Sequence, residues 1–139
     1  MKGFFVFSQS CLLSENVATF TTIYIKNQIW IETRYGKVYG KASGDPSNPL
    51  VWGIHGFSER NGAHTWEPLL EPLAGAGYYV VAVDMPGWGQ SPKWDRLKLQ
   101  PTVGVVWAFM EILDGLKAET ATLMGKSWGG GVAFSTTLA

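Results

Sequence analysis

The residues of this 139-residue chain best suited to chemistry lie near its end, where Gly125-Lys126-Ser127-Trp128-Gly129 spells G-x-S-x-G. A serine hydroxyl attacks a carbonyl carbon once a base takes its proton, and flanking glycines allow a turn tight enough to expose it. A chain this rich in glycine yields roughly 0.13 such matches by chance, so the setting must decide. Ala121-Thr122-Leu123-Met124 runs in as an apolar strand, and Val132, Ala133, Phe134 and Leu138 suit a helix running out. That strand-turn-helix setting forces a strained backbone on the serine and lifts its hydroxyl clear. The bland alternative is a glycine-rich loop with a solvated serine. Gly125-Lys126-Ser127 also matches the tail of a phosphate-binding loop, but the glycine required five residues earlier is Thr120. The cradle for a nucleotide is missing.

The elements that must position Ser127 are legible from apolar patterning. Residues alternate from Ile23 to Arg34, Tyr35-Gly36-Lys37 offers a turn, and Val38 to Ala42 follows, which predicts an antiparallel hairpin. Gly44 to Pro49 is a dense loop signal. Leu50-Val51-Trp52-Gly53-Ile54, Tyr79-Val80-Val81-Ala82-Val83 and Ala121 to Met124 are then apolar at nearly every position. Strands buried on both faces of a parallel sheet need that pattern. A helix is expected over Thr65 to Ala76, with Pro68 and Pro72 delaying or kinking it and Gly75 and Gly77 ending it. A second follows from the stripe Val105, Val106, Phe109, Met110, Ile112, Leu113 and Leu116. Strand and helix alternating in this way imply an α/β sheet, whose chemistry sits at the carboxyl ends of its strands.

Two more segments occupy such ends: His55-Gly56-Phe57 after the first apolar run, and Asp84-Met85-Pro86-Gly87-Trp88-Gly89-Gln90-Ser91 after the second. Together with the serine turn, in this order, they resemble the α/β-hydrolase superfamily over roughly residues 29 to 139. The resemblance implies the N-terminal part of an α/β-hydrolase sheet, an antiparallel hairpin followed by parallel strands with flanking helices. It implies Ser127 as nucleophile and the backbone N–H groups of Phe57 and Trp128 as an oxyanion hole, a pair of donors for the charge of a tetrahedral intermediate. His55 would then be a structural hydrogen-bonding residue, not the general base, and Asp84 a turn cap, not a triad acid. Trp88 either walls an acyl pocket or simply packs. Lys126 either meets an acidic substrate group or is solvated. Epoxide hydrolases and dehalogenases are disfavoured, because those relatives carry an aspartate where this chain has Ser127.

In that superfamily an acid and then a histidine follow the serine in chain order. Residues 128 to 139 contain neither. The expectation is therefore a serine hydrolase of esters, thioesters or small amides, present as an incomplete chain that is nearly inert by itself. Acyl transfer is a variant of that reading, and an inactive product serving as an interaction module is the alternative from another class. The strand ending at Met124 would lack an outer neighbour, leaving a chain that is poorly soluble or partly folded.

Composition sets the remaining bounds. Lysine plus arginine and aspartate plus glutamate are both 11, which gives no electrostatic ground for a nucleic-acid or anionic-membrane partner. A lone Cys11 forbids an internal disulfide, and His55 and His64 are too few for a conventional zinc site, so neither metal nor cofactor is expected. A small-molecule substrate is the expected partner. No apolar run approaches the ~20 residues of a membrane-spanning helix. Residues 1 to 7 start like a signal peptide, but the run breaks at Ser8-Gln9-Ser10. A cytoplasmic protein is the default, with an organelle address as the alternative. Residues 1 to 18 read as an irregular leader and 19 to 139 as a partial α/β-hydrolase domain.

Overall fold

Three apolar runs become the parallel centre of a seven-stranded sheet. The computed structural model describes residues 4–10, 23–25, 27–94 and 101–138. Its strands are β1 (Phe4–Ser10), β2 (Ile23–Ile25), β3 (Gln28–Thr33), β4 (Gly36–Ser43), β5 (Leu50–Ile54), β6 (Tyr79–Val83) and β7 (Thr120–Lys126). Its helices are α1 (Glu67–Gly75), α2 (Pro101–Leu116) and α3 (Trp128–Thr137), with a short 3-10 turn at Ala63–Trp66 leading into α1. The spatial order is β1-β7-β5-β6-β4-β3-β2. β5 pairs in parallel with β6 on one side and β7 on the other, and every other pairing is antiparallel. From β5 the chain passes first to β6 and then back across to β7. The order thus reverses at β5, and a crevice opens at such a switch point beyond the strand ends.

β5 and β6 are buried at every position, as their unbroken apolar runs require, whereas β7 alternates between buried and more exposed residues. One core joins the sheet to α2 and α3, centred on Trp52 and Phe109, whose rings stack 4.0 Å apart at 14°. The smaller core on the other face joins Val51, Val80 and Ala82 to Trp66 and Leu70. Gly53 is the glycine inside β5 because a Cβ there would sit 2.6 Å from the Trp66 ring. In α1, Pro68 occupies the first turn, where a missing N–H costs nothing, and Pro72 lies inside the helix. Arg34, in the turn between β3 and β4, grips the buried Glu111 of α2 through both its Nε (3.1 Å to Oε2) and its Nη2. That pairing holds the arginine's pKa above its usual value and ties the hairpin to α2.

Three sequence expectations need correction. Residues 4–10 of the expected irregular leader form β1, paired along the whole of β7 from Phe4 opposite Lys126 to Ser10 opposite Thr120. The edge of β7 is therefore covered, and the reason to expect exposed pairing groups there disappears. The alternating run from Ile23 to Arg34 is not one strand. It folds back between β2 and β3, with Asn27 in the left-handed region at φ 66°, a conformation asparagine tolerates better than most residues. Cys11 and residues 11–18 of the leader lie outside the described residues. Among the described residues no helix is long and apolar enough to cross a membrane.

Phe109→Ala removes the ring stacked on Trp52 and leaves a cavity in the larger core. Urea unfolding followed by tryptophan fluorescence is expected to show a loss of about 3–5 kcal/mol. A loss below about 1 kcal/mol would contradict this packing.

Candidate active site

Ser127 sits where β7 turns into α3. It is exposed, with φ 54° and ψ −117°. That is the first central position of a type II′ turn, which glycine normally occupies. A serine held there costs of order 1–3 kcal/mol, and the surroundings must impose it. They do so by close approach. A Cβ on Gly125 would lie 2.4 Å from the Gly129 carbonyl oxygen and from the Gly130 nitrogen. One on Gly129 would lie 2.3 Å from the Ile54 carbonyl oxygen, at the end of β5. Helix, turn and central strand thus touch backbone to backbone, and the serine is pushed outward. The Ser127 carbonyl, at the N-cap of α3, accepts the Gly130 N–H at 2.8 Å as the helix begins.

The end of β5 supplies the next part. His55 is fully buried, with Nδ1 2.7 Å from the Gly56 carbonyl oxygen and Nε2 accepting the Met85 N–H at 3.1 Å. Since Nε2 accepts, the proton belongs on Nδ1, and both ring nitrogens are committed. Burial pushes its pKa below the ordinary histidine value. His55 therefore pins the β5 loop to the β6 loop and has no nitrogen free to act as a base. His64 is exposed, and its Nε2 lies 3.0 Å from the Arg60 carbonyl oxygen.

The loop after β6 is built on Asp84. Its buried carboxylate accepts the N–H of Ala63 at 2.7 Å and of Gln90 at 2.9 Å. Its carbonyl accepts the Ser91 hydroxyl, which in turn accepts the Tyr39 N–H at 2.9 Å. With both carboxylate oxygens on backbone N–H groups, the aspartate shapes two loops. The loop projects Trp88, whose indole N–H donates to the Phe57 carbonyl at 3.1 Å. On the opposite side Lys126 donates from Nζ to Asn61 Oδ1 at 3.1 Å, while Asn61 Nδ2 reaches Ser58 Oγ at 2.7 Å. The Phe57–Asn61 loop is thereby held at both ends, and Lys126 is committed to it.

Phe57, Trp88 and Trp128 meet over this point. The two indoles stack at 5.3 Å and 26°, and Phe57 stands edge-on to both at 5.8 and 5.9 Å. They bound a cavity of about 220 Å³, completed by Met85 and Pro86 from the β6 loop and by the first turns of α2 at Gly104, Val105 and Ala108. The sequence placed Val105 in a core stripe, and Met85 and Asn61 carried no signal beyond adjacency to the motifs. Trp128 is the first residue of α3, so its N–H has no acceptor within the helix.

A glycine-framed serine after a parallel strand, a His-Gly turn and a glycine-rich loop at neighbouring strand ends are one arrangement, and its sequence signature matches a known family. The profile described as "alpha/beta hydrolase fold" covers residues 49–138. The chain belongs to the alpha/beta hydrolase fold family. It is 38% identical over 91 residues to epoxide hydrolase B of Mycobacterium tuberculosis, a match covering 66% of this chain and 25% of that protein. Among solved structures it resembles an epoxide hydrolase from an endophytic Streptomyces (TM-score 0.70, 29% identity, 82% of this chain and 34% of that one). It also resembles an esterase from Exiguobacterium antarcticum (TM-score 0.65, 27% identity, 78% and 39%). This alpha/beta hydrolase chain spans about a quarter of the length of the curated relatives it matches.

His55, neutral in the fold, takes up a proton near pH 6.5 in the unfolded chain. Below that pH the unfolded state binds more protons, so its share of stability, present above pH 6.5, drains away as pH falls toward the depressed folded value. Melting temperature is expected to drop between pH 7 and 5.5, with a slope of up to about 1.4 kcal/mol per pH unit from this group. His55→Gln should flatten that slope. An unchanged slope in the variant would show that another group sets it.

Proposed function

We propose that the protein is a hydrolase of esters, thioesters or small amides that works through an acyl-enzyme on Ser127. The observation that supports this best is the type II′ backbone of Ser127, a strained conformation kept at a serine flanked by glycines that nothing larger can replace. Ser127 Oγ attacks the carbonyl carbon and its proton passes to a base. The N–H groups of Phe57 and Trp128 receive the charge on the carbonyl oxygen, each worth about 3 kcal/mol in such sites. The tetrahedral intermediate collapses, expelling the alcohol, thiol or amine with a proton. Water then cleaves the serine ester and releases the acid. Both histidines of these 139 residues hold backbone groups, His55 through both ring nitrogens and His64 through Nε2, and neither is proposed as the base. The 139 residues alone are expected to turn over esters some 10⁴- to 10⁶-fold below a serine hydrolase with its base in place.

Epoxide opening is a second reading, favoured by the names of the relatives. Bond chemistry weighs against it. A carboxylate that opens an epoxide leaves an ester, which water can cleave at its carbonyl. A serine that opens the same ring leaves an ether with no carbonyl to attack, and the enzyme would be spent after one event.

Protein isolated from its native source should react with a fluorophosphonate at Ser127, located by peptide mass mapping, and should hydrolyse p-nitrophenyl esters. Ser127→Ala should lose the adduct and about 10⁴-fold or more in kcat/KM. An adduct at another residue, persistent labelling in the variant, or catalytic turnover of styrene oxide in preference to esters would overturn the assignment.

A further inference from the structure

The serine reading leaves the acyl group unspecified, and the cavity beside Ser127 limits it. We propose that this cavity takes a neutral aromatic acyl group of benzoate or phenylacetate type; the proposal rests on Ser127 as nucleophile and deepens that assignment.

Size is the first limit. A dry cavity of about 150 Å³ accommodates benzene, so the roughly 220 Å³ here holds a ring and the short link to its carbonyl. Charge is the second. Among the described residues none that lines the cavity is ionisable, and the cation on the elbow, Lys126, is turned onto Asn61. A carboxylate on the acyl group would lose its water without gaining a partner among the described residues, which weighs against it.

The walls supply the third limit. Trp88 and Trp128 stack on each other and leave their edges and outer faces to an incoming ring, with Phe57 standing edge-on to both. A flat ring entering beside them finds both faces and edges to pair with, a gain beyond its buried area. An aliphatic chain gains the burial alone. The surface is also fixed in advance, because the Trp88 indole N–H is bonded to the Phe57 carbonyl and cannot swing without breaking that bond. Met85, on the floor, adds a polarisable thioether suited to a ring edge. Trp128, a wall of the cavity, is itself the residue after Ser127, which ties the cavity to the elbow.

Equilibrium binding to the intact protein tests the pocket without requiring turnover. Methyl benzoate, methyl butyrate and monomethyl terephthalate would be titrated by saturation-transfer NMR and calorimetry. Methyl benzoate is expected to bind at least 10-fold more tightly than methyl butyrate, and the terephthalate, charged at its far end, at least 10-fold more weakly than methyl benzoate. Trp88→Leu should cut methyl benzoate affinity by 5-fold or more and leave methyl butyrate nearly unchanged. Val105→Phe, which fills the pocket from α2, should abolish binding of both. Equal affinities for the two neutral esters, or undiminished benzoate binding in Trp88→Leu with its fold intact by circular dichroism, would overturn the proposal. Benzoate selectivity retained by a protein that forms no fluorophosphonate adduct at Ser127 would leave the pocket standing and remove the nucleophile.

Discussion

The contact on which the rest depends is the approach of Gly129 to the Ile54 carbonyl, where no side-chain carbon fits. It brings the first turn of α3 onto the end of β5, the strand at which the sheet order reverses. Once helix and strand touch there, the intervening turn has room for one conformation, and Ser127 is carried into positive φ with its hydroxyl outward. The same contact sets Gly129 against the carbonyls of Ile54 and His55, which lead into the loop that carries Phe57. The proposed nucleophile and one proposed oxyanion donor, Trp128, thus sit on the turn and helix that this backbone packing fixes.

The loops around that point are held by groups that do no chemistry. His55 spends both ring nitrogens joining the β5 and β6 loops, and Asp84 spends both carboxylate oxygens on the N–H groups of Ala63, after β5, and Gln90, after β6. Lys126 and Trp88 clamp the Phe57–Asn61 loop from its two flanks. Such committed groups give up adaptability and gain preorganisation, which is what stabilising a short-lived oxyanion demands. A loop free to relax would have to be reordered at every turnover.

How far the sequence could be read follows from the range of each interaction. The parallel strands were legible because burial on both faces leaves an unbroken apolar run, and β5 and β6 match Leu50–Ile54 and Tyr79–Val83 residue for residue. The serine turn was legible because its glycines lie within four residues of one another. β1 was not, since its partner lies more than a hundred residues away and an edge strand carries no local mark of the strand it joins. The break between β2 and β3 was hidden by alternation continuing across it, with only Asn27 to mark the turn. The indole bond from Trp88 to Phe57 was equally beyond reach, because residue type alone left Trp88 balanced between pocket wall and packing.

The central claim is that packing against β5 imposes a strained, glycine-like backbone on the residue at 127. Comparing Ser127→Gly with Ser127→Ala tests it most directly, since both lack the hydroxyl and differ in their tolerance of φ 54°. In an ordinary position glycine is the less stable of the two by about 0.5–1 kcal/mol. Here urea unfolding should show Ser127→Gly the more stable by about 1 kcal/mol or more. A glycine variant no more stable than the alanine variant would mean that the turn carries no strain, and the account of how the serine is presented would fail.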